Sequence, residues 1–188
     1  LASDSDALLV NASHLTSVML KEINNADDFF NFVKEKKINT LIIGPGCGIN
    51  QITKELVIRA IKSEISFVLD ADGLTLFQKN PNELFDLLNK RRKRENIILT
   101  PHEGEFNRLF DFGKISKIDK ANRAANITKS TILFKGNDTI ISSPKKISLI
   151  TKDSSSFLAT AGSGDVLSGI CGSFLGQGMK SHYAAAAA

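Results

Sequence analysis

The stretch ATAGSGDVLSG, residues 159–169, places small residues directly before an acid and an apolar run. The apolar spacing predicts a helix whose N-terminus presents backbone N–H groups, and such groups, with the helix dipole, stabilise a bound phosphoryl group. Asp165 would then take a proton from a hydroxyl that attacks this phosphoryl group, with Gly162, Ser163 and Gly164 as the anion hole. The structural alternative is an Asp that stabilises the start of a helix.

Two further loops carry residues suited to ligand contact. In GPGCG, residues 44–48, Gly46 and Gly48 allow a ligand to approach the backbone, although the spacing matches neither a dinucleotide-binding GxGxxG motif nor a Walker loop. A tight turn is the alternative. In TPHEGE, residues 100–105, His102 follows a strand through a rigid Pro and is one of three histidines in the chain. Glu105 is assigned a structural role, as an anchor of the next helix.

Charged residues occupy two more loops. The functional interpretation of KGNDT is contact with the phosphates or the sugar of a nucleotide, and its alternative is a plain hairpin turn. The residues assigned to that contact are Lys135, Gly136, Asn137, Asp138 and Thr139. In DADG, Asp70 and Asp72 lie two residues apart just past a strand. They would bind Mg²⁺ through water, or cap the following helix or turn.

Short apolar runs that alternate with helical patterns must position these loops. Strands are predicted at 40–43, 66–69, 96–99 and 131–134, with helices at 50–63, from Pro81 and at 119–129. This order predicts an α/β fold with a mostly parallel sheet covered on both faces. Turn residues then predict a C-terminal antiparallel meander of strands 139–142 and 147–150, before helices that start near Gly164 and within 184–188. Such sheets bind ligands beyond the carboxyl ends of their strands, so the loops predict an active-site rim.

Composition limits the class of protein. The chain of 188 residues is 42% hydrophobic and 23% charged, which is typical of a soluble globular protein with no membrane span or secretory signal. Its two cysteines form no CxxC pattern, so we expect no disulfide framework or zinc site and a cytoplasmic location. The net charge is +4, and the basic run at 90–94 indicates either a nucleic-acid patch or, as we prefer, the end of a helix.

The loops GPGCG, VLDADGL, LTPHEGEF, KGNDT and ATAGSGDVLSG, in this order, resemble the ADP/ATP-dependent NAD(P)H-hydrate dehydratases. These enzymes belong to the ribokinase-like superfamily and form the carbohydrate-kinase-like half of bifunctional nicotinamide nucleotide repair enzymes. The resemblance implies a three-layer αβα sandwich. It also implies a repair reaction in which the C6 hydroxyl of hydrated NADH or NADPH is phosphorylated by ATP or ADP and phosphate is then eliminated, with Mg²⁺ as cofactor.

The resemblance also assigns residues. It implies that Gly46, Gly48 and His102 contact the hydrated dinucleotide. Residues 135–139 and Gly164 would hold the adenine nucleotide. Asp165 would be the base that contacts the substrate, beside the anion hole of residues 162–164. Partners would be the two substrates, with self-association common in the family and no nucleic-acid or membrane partner.

Two other hypotheses stay open at this point. One is a ribokinase-like kinase that phosphorylates a small alcohol, such as a sugar or a vitamin precursor. The other is a non-catalytic remnant that binds nucleotide only, because the chain lacks the Gly-rich first strand and the C-terminal helix end expected for the family. In all three interpretations residues 1–188 are expected to form a single ribokinase-like domain.

Overall fold

The computed structural model describes residues 1–92, 96–151 and 155–188, which form two compact units, 1–38 and 39–188. In the first unit, strands β1 (Ala2–Ser3) and β2 (Lys21–Glu22) pair in parallel, and each precedes a helix, α1 (Ser5–His14) and α2 (Ala26–Glu35). The side chains of Asp4 and Asn25 cap these helices by accepting backbone N–H groups. The sequence analysis predicted none of these elements. α1 buries no residue and carries no periodic apolar face, whereas α2 has a clear apolar face that buries Ala26 and Val33 and was overlooked.

The second unit is built on one six-stranded sheet. Its strands are β3 (Thr40–Ile43), β4 (Ser66–Leu69), β5 (Ile97–Leu99), β6 (Thr131–Phe134), β7 (Ile140–Ser142) and β8 (Leu149–Ile150). They lie side by side in chain order; β3 to β6 are parallel, whereas β7 and β8 are antiparallel. The predicted α/β fold, mostly parallel with an antiparallel C-terminal meander, is confirmed.

Helices connect and cover these strands. They are α3 (Gln51–Lys62), α4 (Ala71–Thr75), α5 (Pro81–Lys90), α6 (Glu103–Leu109), α7 (Lys117–Thr128), α8 (Ser163–Gly176) and α9 (Ser181–Ala187). The side chains of Asn50 and Ser116 cap α3 and α7. Asn80 occupies the N-cap position of α5, but its side chain makes no capping hydrogen bond. Pro81 at the first position of α5 supplies the start signal instead.

The two faces of the sheet carry different layers because neighbouring strand residues point to opposite sides. Phe67 and Phe134 point to one side, where their rings contact Arg91 after α5 and Phe106 of α6. On the other side, strand residues pack against the apolar faces of α8 and α9. That second cluster consists of Val68, Ile98, Leu133, Ile141, Cys171, Leu175, Ala184 and Ala185. The second unit therefore has the three-layer αβα arrangement that was predicted.

Arg91 is the structurally important member of the basic run. It is only 5% exposed and lies over the ring of Phe67. Its guanidinium donates to the carbonyl oxygens of Ala60, Ile61, Ser63 and Ile65, at and just beyond the C-terminus of α3. The preferred interpretation placed these cations at the end of their own helix; Lys90 does end α5, but Arg91 satisfies the end of α3. Lys93 and Arg94 lie outside the described residues.

Replacement of Arg91 by Met should lower the free energy of unfolding by about 2–4 kcal/mol, because buried carbonyl groups lose a charged donor. Urea denaturation followed by circular dichroism measures this change. Lys90→Met is the matched control, since Lys90 is exposed in the same run, and it should change the free energy by less than about 0.5 kcal/mol. Equal effects of the two substitutions would contradict the role given to Arg91.

Candidate functional site

Polar side chains follow the parallel strands on the face that α8 covers. Asp70, Thr100 and Lys135 each lie two positions after a strand residue of the α8-facing cluster. Since alternate residues of a strand point to the same side, all three side chains project toward α8. The carboxyl ends of β4, β5 and β6 thus meet the first turns of α8, as expected for a site at this edge of a parallel sheet.

Asp70 is the centre of a buried polar network. Its carboxylate is 1% exposed; Oδ1 accepts from Lys135 Nζ at 2.8 Å and Oδ2 accepts from Ser168 Oγ at 2.6 Å. Oδ1 also accepts the N–H of Ala71, which caps α4. Thr100 Oγ1 lies 3.5 Å from Ser168 Oγ. The network joins three strands to α8 and fixes the ammonium group of Lys135.

The ammonium group of Lys135 lies beside the start of α8. A methyl group placed on Gly164 would be 3.4 Å from Lys135 Nζ, so the ammonium approaches the backbone of the GSGD motif. The Lys135 side chain is 19% exposed, and one of its three N–H donors is directed at Asp70. The predicted nucleotide residues Lys135 and Gly164 are therefore neighbours, and the remaining ammonium protons can meet an anion there.

The first turn of α8 has the properties expected of an anion hole. Gly162 adopts a left-handed conformation, φ +84°, and as a glycine it supplies no capping side chain. The N–H of Ser163 donates to the carbonyl of Thr160, and so does its hydroxyl. In the described part of the chain, the N–H groups of Gly164 and Asp165 have no acceptor. Two donors of α8 thus point outward at the positive end of the helix dipole.

The carboxylate of Asp165 is exposed and makes no capping hydrogen bond at the start of α8. Asp165 therefore does not cap α8 through its side chain, but it lies in the first turn, where its charge also stabilises the start of the helix, so the structural alternative stays open. Asp165 and Ser168 lie three residues apart on α8, which places them on one side of the helix. Ser168, which holds Asp70, was missed by the sequence analysis; the signal was its helical spacing from Asp165.

The GPGCG and DADG loops hold each other. The N–H of Gly48 donates to Asp72 Oδ2 at 2.9 Å. A methyl group on Gly44 would lie 1.7 Å from the carbonyl oxygen of Asp70, so only glycine allows this approach. Gly46, with φ +64°, has no atom within 4 Å of its added methyl group and faces open space. Asp70 thus caps a helix, and Asp72 joins the two loops by a hydrogen bond. In ranges 1–92, 96–151 and 155–188, no cluster of three potential metal ligands exists.

His102 caps helix α6. Its Nδ1 accepts the N–H groups of Gly104 and Glu105 at 2.9 and 3.3 Å, while Glu105 Oε2 accepts the N–H of His102 at 2.9 Å. This reciprocal capping box confirms the structural role expected of Glu105. Because Nδ1 accepts hydrogen bonds, the neutral ring carries its proton on Nε2. The His102 side chain is 55% exposed, and its Nε2 lies 3.6 Å from Oε1 of Glu105.

The KGNDT loop forms a closed turn. Thr139 Oγ1 donates to the carbonyl of Gly136 at 3.2 Å, and Lys117 Nζ donates to the backbone and side-chain oxygens of Asp138. The hydrogen bond from Lys117 lowers the pKa of the Asp138 carboxyl. Asp138 is thereby engaged in the turn, whereas Asn137 is exposed. Lys117 was not predicted; it places a second ammonium group beside this loop.

Both cysteines are free thiols in chemically quiet positions. Burial, and secondarily the charge of Asp70, raises the pKa of the Cys171 thiol to about 12. Burial also raises the pKa of Cys47. Both thiols are therefore protonated, and so unreactive, at neutral pH. Over the described residues, no helix is long and apolar enough to cross a membrane.

Comparisons with known proteins identify the family of the chain. A carbohydrate-kinase family model, described as NAD(P)H-hydrate dehydratase, matches residues 1–188. The chain is 35% identical over 151 residues to the bifunctional NAD(P)H-hydrate repair enzyme Nnr of Mycobacterium tuberculosis, covering 80% of the chain and 31% of the relative. It is 34% identical over 162 residues to the ADP-dependent (S)-NAD(P)H-hydrate dehydratase of Neisseria meningitidis, covering 82% and 53%. The matched part of the chain thus spans 31% of the first relative and 53% of the second.

Solved structures share the fold. A ribokinase-like superfamily protein from Enterococcus faecalis superposes with a TM-score of 0.75 at 20% identity, covering 94% of the chain and 60% of the neighbour. The ADP/ATP-dependent NAD(P)H-hydrate dehydratase from Bacillus subtilis, co-crystallised with ATP and Mg²⁺, gives a TM-score of 0.64 at 23% identity, covering 98% and 74%. At these identities the structural matches support the ribokinase-like fold alone.

Proposed function

Since the chain belongs to the NAD(P)H-hydrate dehydratase family, we propose that the site at the start of α8 dehydrates hydrated NADH or NADPH with ADP or ATP as phosphoryl donor. The observation that carries this proposal is the arrangement around Gly164. There, among the described residues, the N–H groups of Gly164 and Asp165 have no acceptor, the Lys135 ammonium approaches Gly164, and the next residue, Asp165, is exposed. This is the set of groups that phosphoryl transfer to a hydroxyl requires.

The reaction proceeds in two steps. Asp165 accepts the proton of the C6 hydroxyl while the C6 oxygen attacks the terminal phosphorus, and the bond from that phosphorus to the nucleotide breaks. The N–H groups of α8 and the ammonium of Lys135 stabilise the negative charge of the phosphoryl group in transfer. Phosphate then leaves C6 with its oxygen, a proton leaves C5, and the C5–C6 double bond is restored. The products are NADH or NADPH, inorganic phosphate and AMP or ADP.

Residues around this centre are proposed to hold the two substrates. The KGNDT turn (residues 135–139) and Gly164 hold the adenine nucleotide, with Lys117 beside the turn. Gly46, Gly48 and His102 contact the hydrated dinucleotide; Gly46 faces open space and the His102 side chain is more than half exposed. Mg²⁺ would be held chiefly by the nucleotide phosphates and water, and it would neutralise phosphate charge.

Incubation of the protein with hydrated NADH, ADP or ATP, and Mg²⁺ tests the proposed function. We expect NADH to form, followed by its absorbance, only when a nucleotide is present. Turnover of a sugar or vitamin precursor with no turnover of the hydrate would instead support a small-alcohol kinase. Calorimetric binding of ADP with no turnover of any substrate would support a non-catalytic nucleotide-binding protein.

Other expectations remain predictions. These are the cytoplasmic location, the single-domain organisation of residues 1–188, homo-oligomerisation and the lack of nucleic-acid or membrane partners. The two compact units 1–38 and 39–188 are each well defined by their own contacts.

A further inference from the structure

A cavity of about 440 Å³ lies away from the candidate functional site. It is at the edge of the sheet that is opposite the first turn of α8. It is bounded by the end of α7, the turn between β7 and β8, and the start of α9. Four lysines line it, Lys129, Lys145, Lys146 and Lys180, and the described lining contains no Asp or Glu. Like charges around one concavity repel each other and raise the local concentration of anions.

Hydroxyl groups form the buried floor of this cavity. Thr131 Oγ1 lies 2.7 Å from both Ser181 Oγ and Ser143 Oγ, and Ser143 Oγ lies 2.9 Å from His182 Nδ1. The four side chains belong to β6, α9 and the end of β7, and all are buried. A continuous hydrogen-bonded chain of three hydroxyls therefore ends on a histidine ring.

The direction of this chain decides what His182 offers to the cavity. When Ser143 donates to Nδ1, Thr131 donates to Ser143 and Ser181 donates to Thr131, so every hydroxyl proton is used and Nε2 carries the ring proton. No partner for Nε2 exists among the described residues, although the side chain is only 8% exposed. Burial, and secondarily Lys146, lowers the pKa of His182, which keeps the ring neutral. An anion in the cavity selects the direction that presents an N–H donor.

We propose that this cavity binds a phosphate monoester of a small metabolite, with His182 Nε2–H, Lys145 and Lys146 as donors to the phosphate. The cavity volume falls in the range of small-molecule sites and exceeds what a free phosphate fills. Tyr183 supplies an apolar surface for the organic part; its ring is half exposed and lies 5.9 Å from Lys146 Nζ. This site goes beyond the proposed dehydratase activity and shares no residue with it.

Histidine NMR tests the proposal with an internal reference. The chain has three histidines, of which His182 lines this cavity and His102 lies in the candidate active site. In protein labelled with ¹⁵N at histidine, the His182 signal is assigned by its loss in His182→Gln, and ribose 5-phosphate is titrated. We expect a saturable shift of the His182 signal with half-saturation below about 1 mM.

Two variants and a second probe make the outcome decisive. The double variant Lys145→Ala/Lys146→Ala should weaken the His182 response at least about tenfold, because it removes two charged donors. Lys120→Ala, a lysine of α7 outside the cavity, should leave it unchanged. No shift at His182, a shift confined to His102, or equal half-saturation in the double variant would overturn the proposal. Saturation by inorganic phosphate at the same concentration as by ribose 5-phosphate would overturn the assignment to a monoester.

Discussion

Asp165→Asn is expected to lower the rate of NADH formation from the hydrate about 10³-fold, because the amide cannot accept the hydroxyl proton. The affinity for ADP should change less than about threefold, since no described contact ties the Asp165 side chain to the fold and the N–H donors of α8 belong to the backbone. Turnover under saturating substrates and calorimetric titration with ADP measure the two quantities separately.

A matched substitution controls for the general effect of removing an acidic side chain from the first turn of a helix. Asp6 is an exposed acid in the first turn of α1. Asp6→Asn therefore alters the same kind of helix position at a site that is distant in sequence from Asp165. It should leave the rate of NADH formation within about twofold of the unmodified protein. A rate for Asp165→Asn equal to that of Asp6→Asn would remove Asp165 from the reaction.

Lys135→Met should have two large effects. The Asp70 carboxylate would stay buried without its cationic partner, which is expected to lower the free energy of unfolding by about 3–5 kcal/mol. The site would also lose an ammonium group beside Gly164, so the affinity for ADP should fall about 10- to 100-fold. Urea denaturation and calorimetric titration measure these changes at a temperature at which the variant is folded.

A double variant separates the two roles of Lys135. In Asp70→Asn/Lys135→Met the buried charge is absent, and the Asn amide can still bond Ala71 N–H and Ser168. Most of the lost stability should return, to within about 1.5 kcal/mol of the unmodified protein, whereas ADP binding should remain weak. Recovery of ADP affinity together with stability would mean that Lys135 acts on the nucleotide only through folding.

The sheet was predictable because its strands are short continuous apolar runs between turn residues. β3, β4 and β6 begin and end where the sequence placed them, whereas β8 is limited to Leu149–Ile150 of the predicted 147–150. Two-residue strands such as β1 and β2 show no alternation and α1 buries no residue, so these three elements escaped prediction, whereas the apolar face of α2 was a signal that was missed. Periodicity detects an element only when one of its faces is buried over several residues.

The site was predictable residue by residue but not contact by contact. Each loop was identified from its glycines and charges, yet the ion pair between Asp70 and Lys135 joins residues 65 positions apart, and the bond from Ser168 to Asp70 spans 98. Because side chains alternate along β4 and β6, Asp70 and Lys135 fall on the same face of the sheet. This alternation was the signal in the sequence from which their contact could have been predicted. The role of Arg91 depends on where α3 ends relative to α5, which local sequence does not determine.

The fate of the C6 oxygen tests the central claim most directly. Hydrated NADH prepared in ¹⁸O-water carries the label in its C6 hydroxyl, and the phosphate released during turnover is analysed by mass spectrometry. If the hydroxyl is phosphorylated before elimination, the account predicts one ¹⁸O atom in each molecule of inorganic phosphate formed with NADH. Unlabelled phosphate, with the ¹⁸O recovered in water, would contradict phosphoryl transfer at the start of α8.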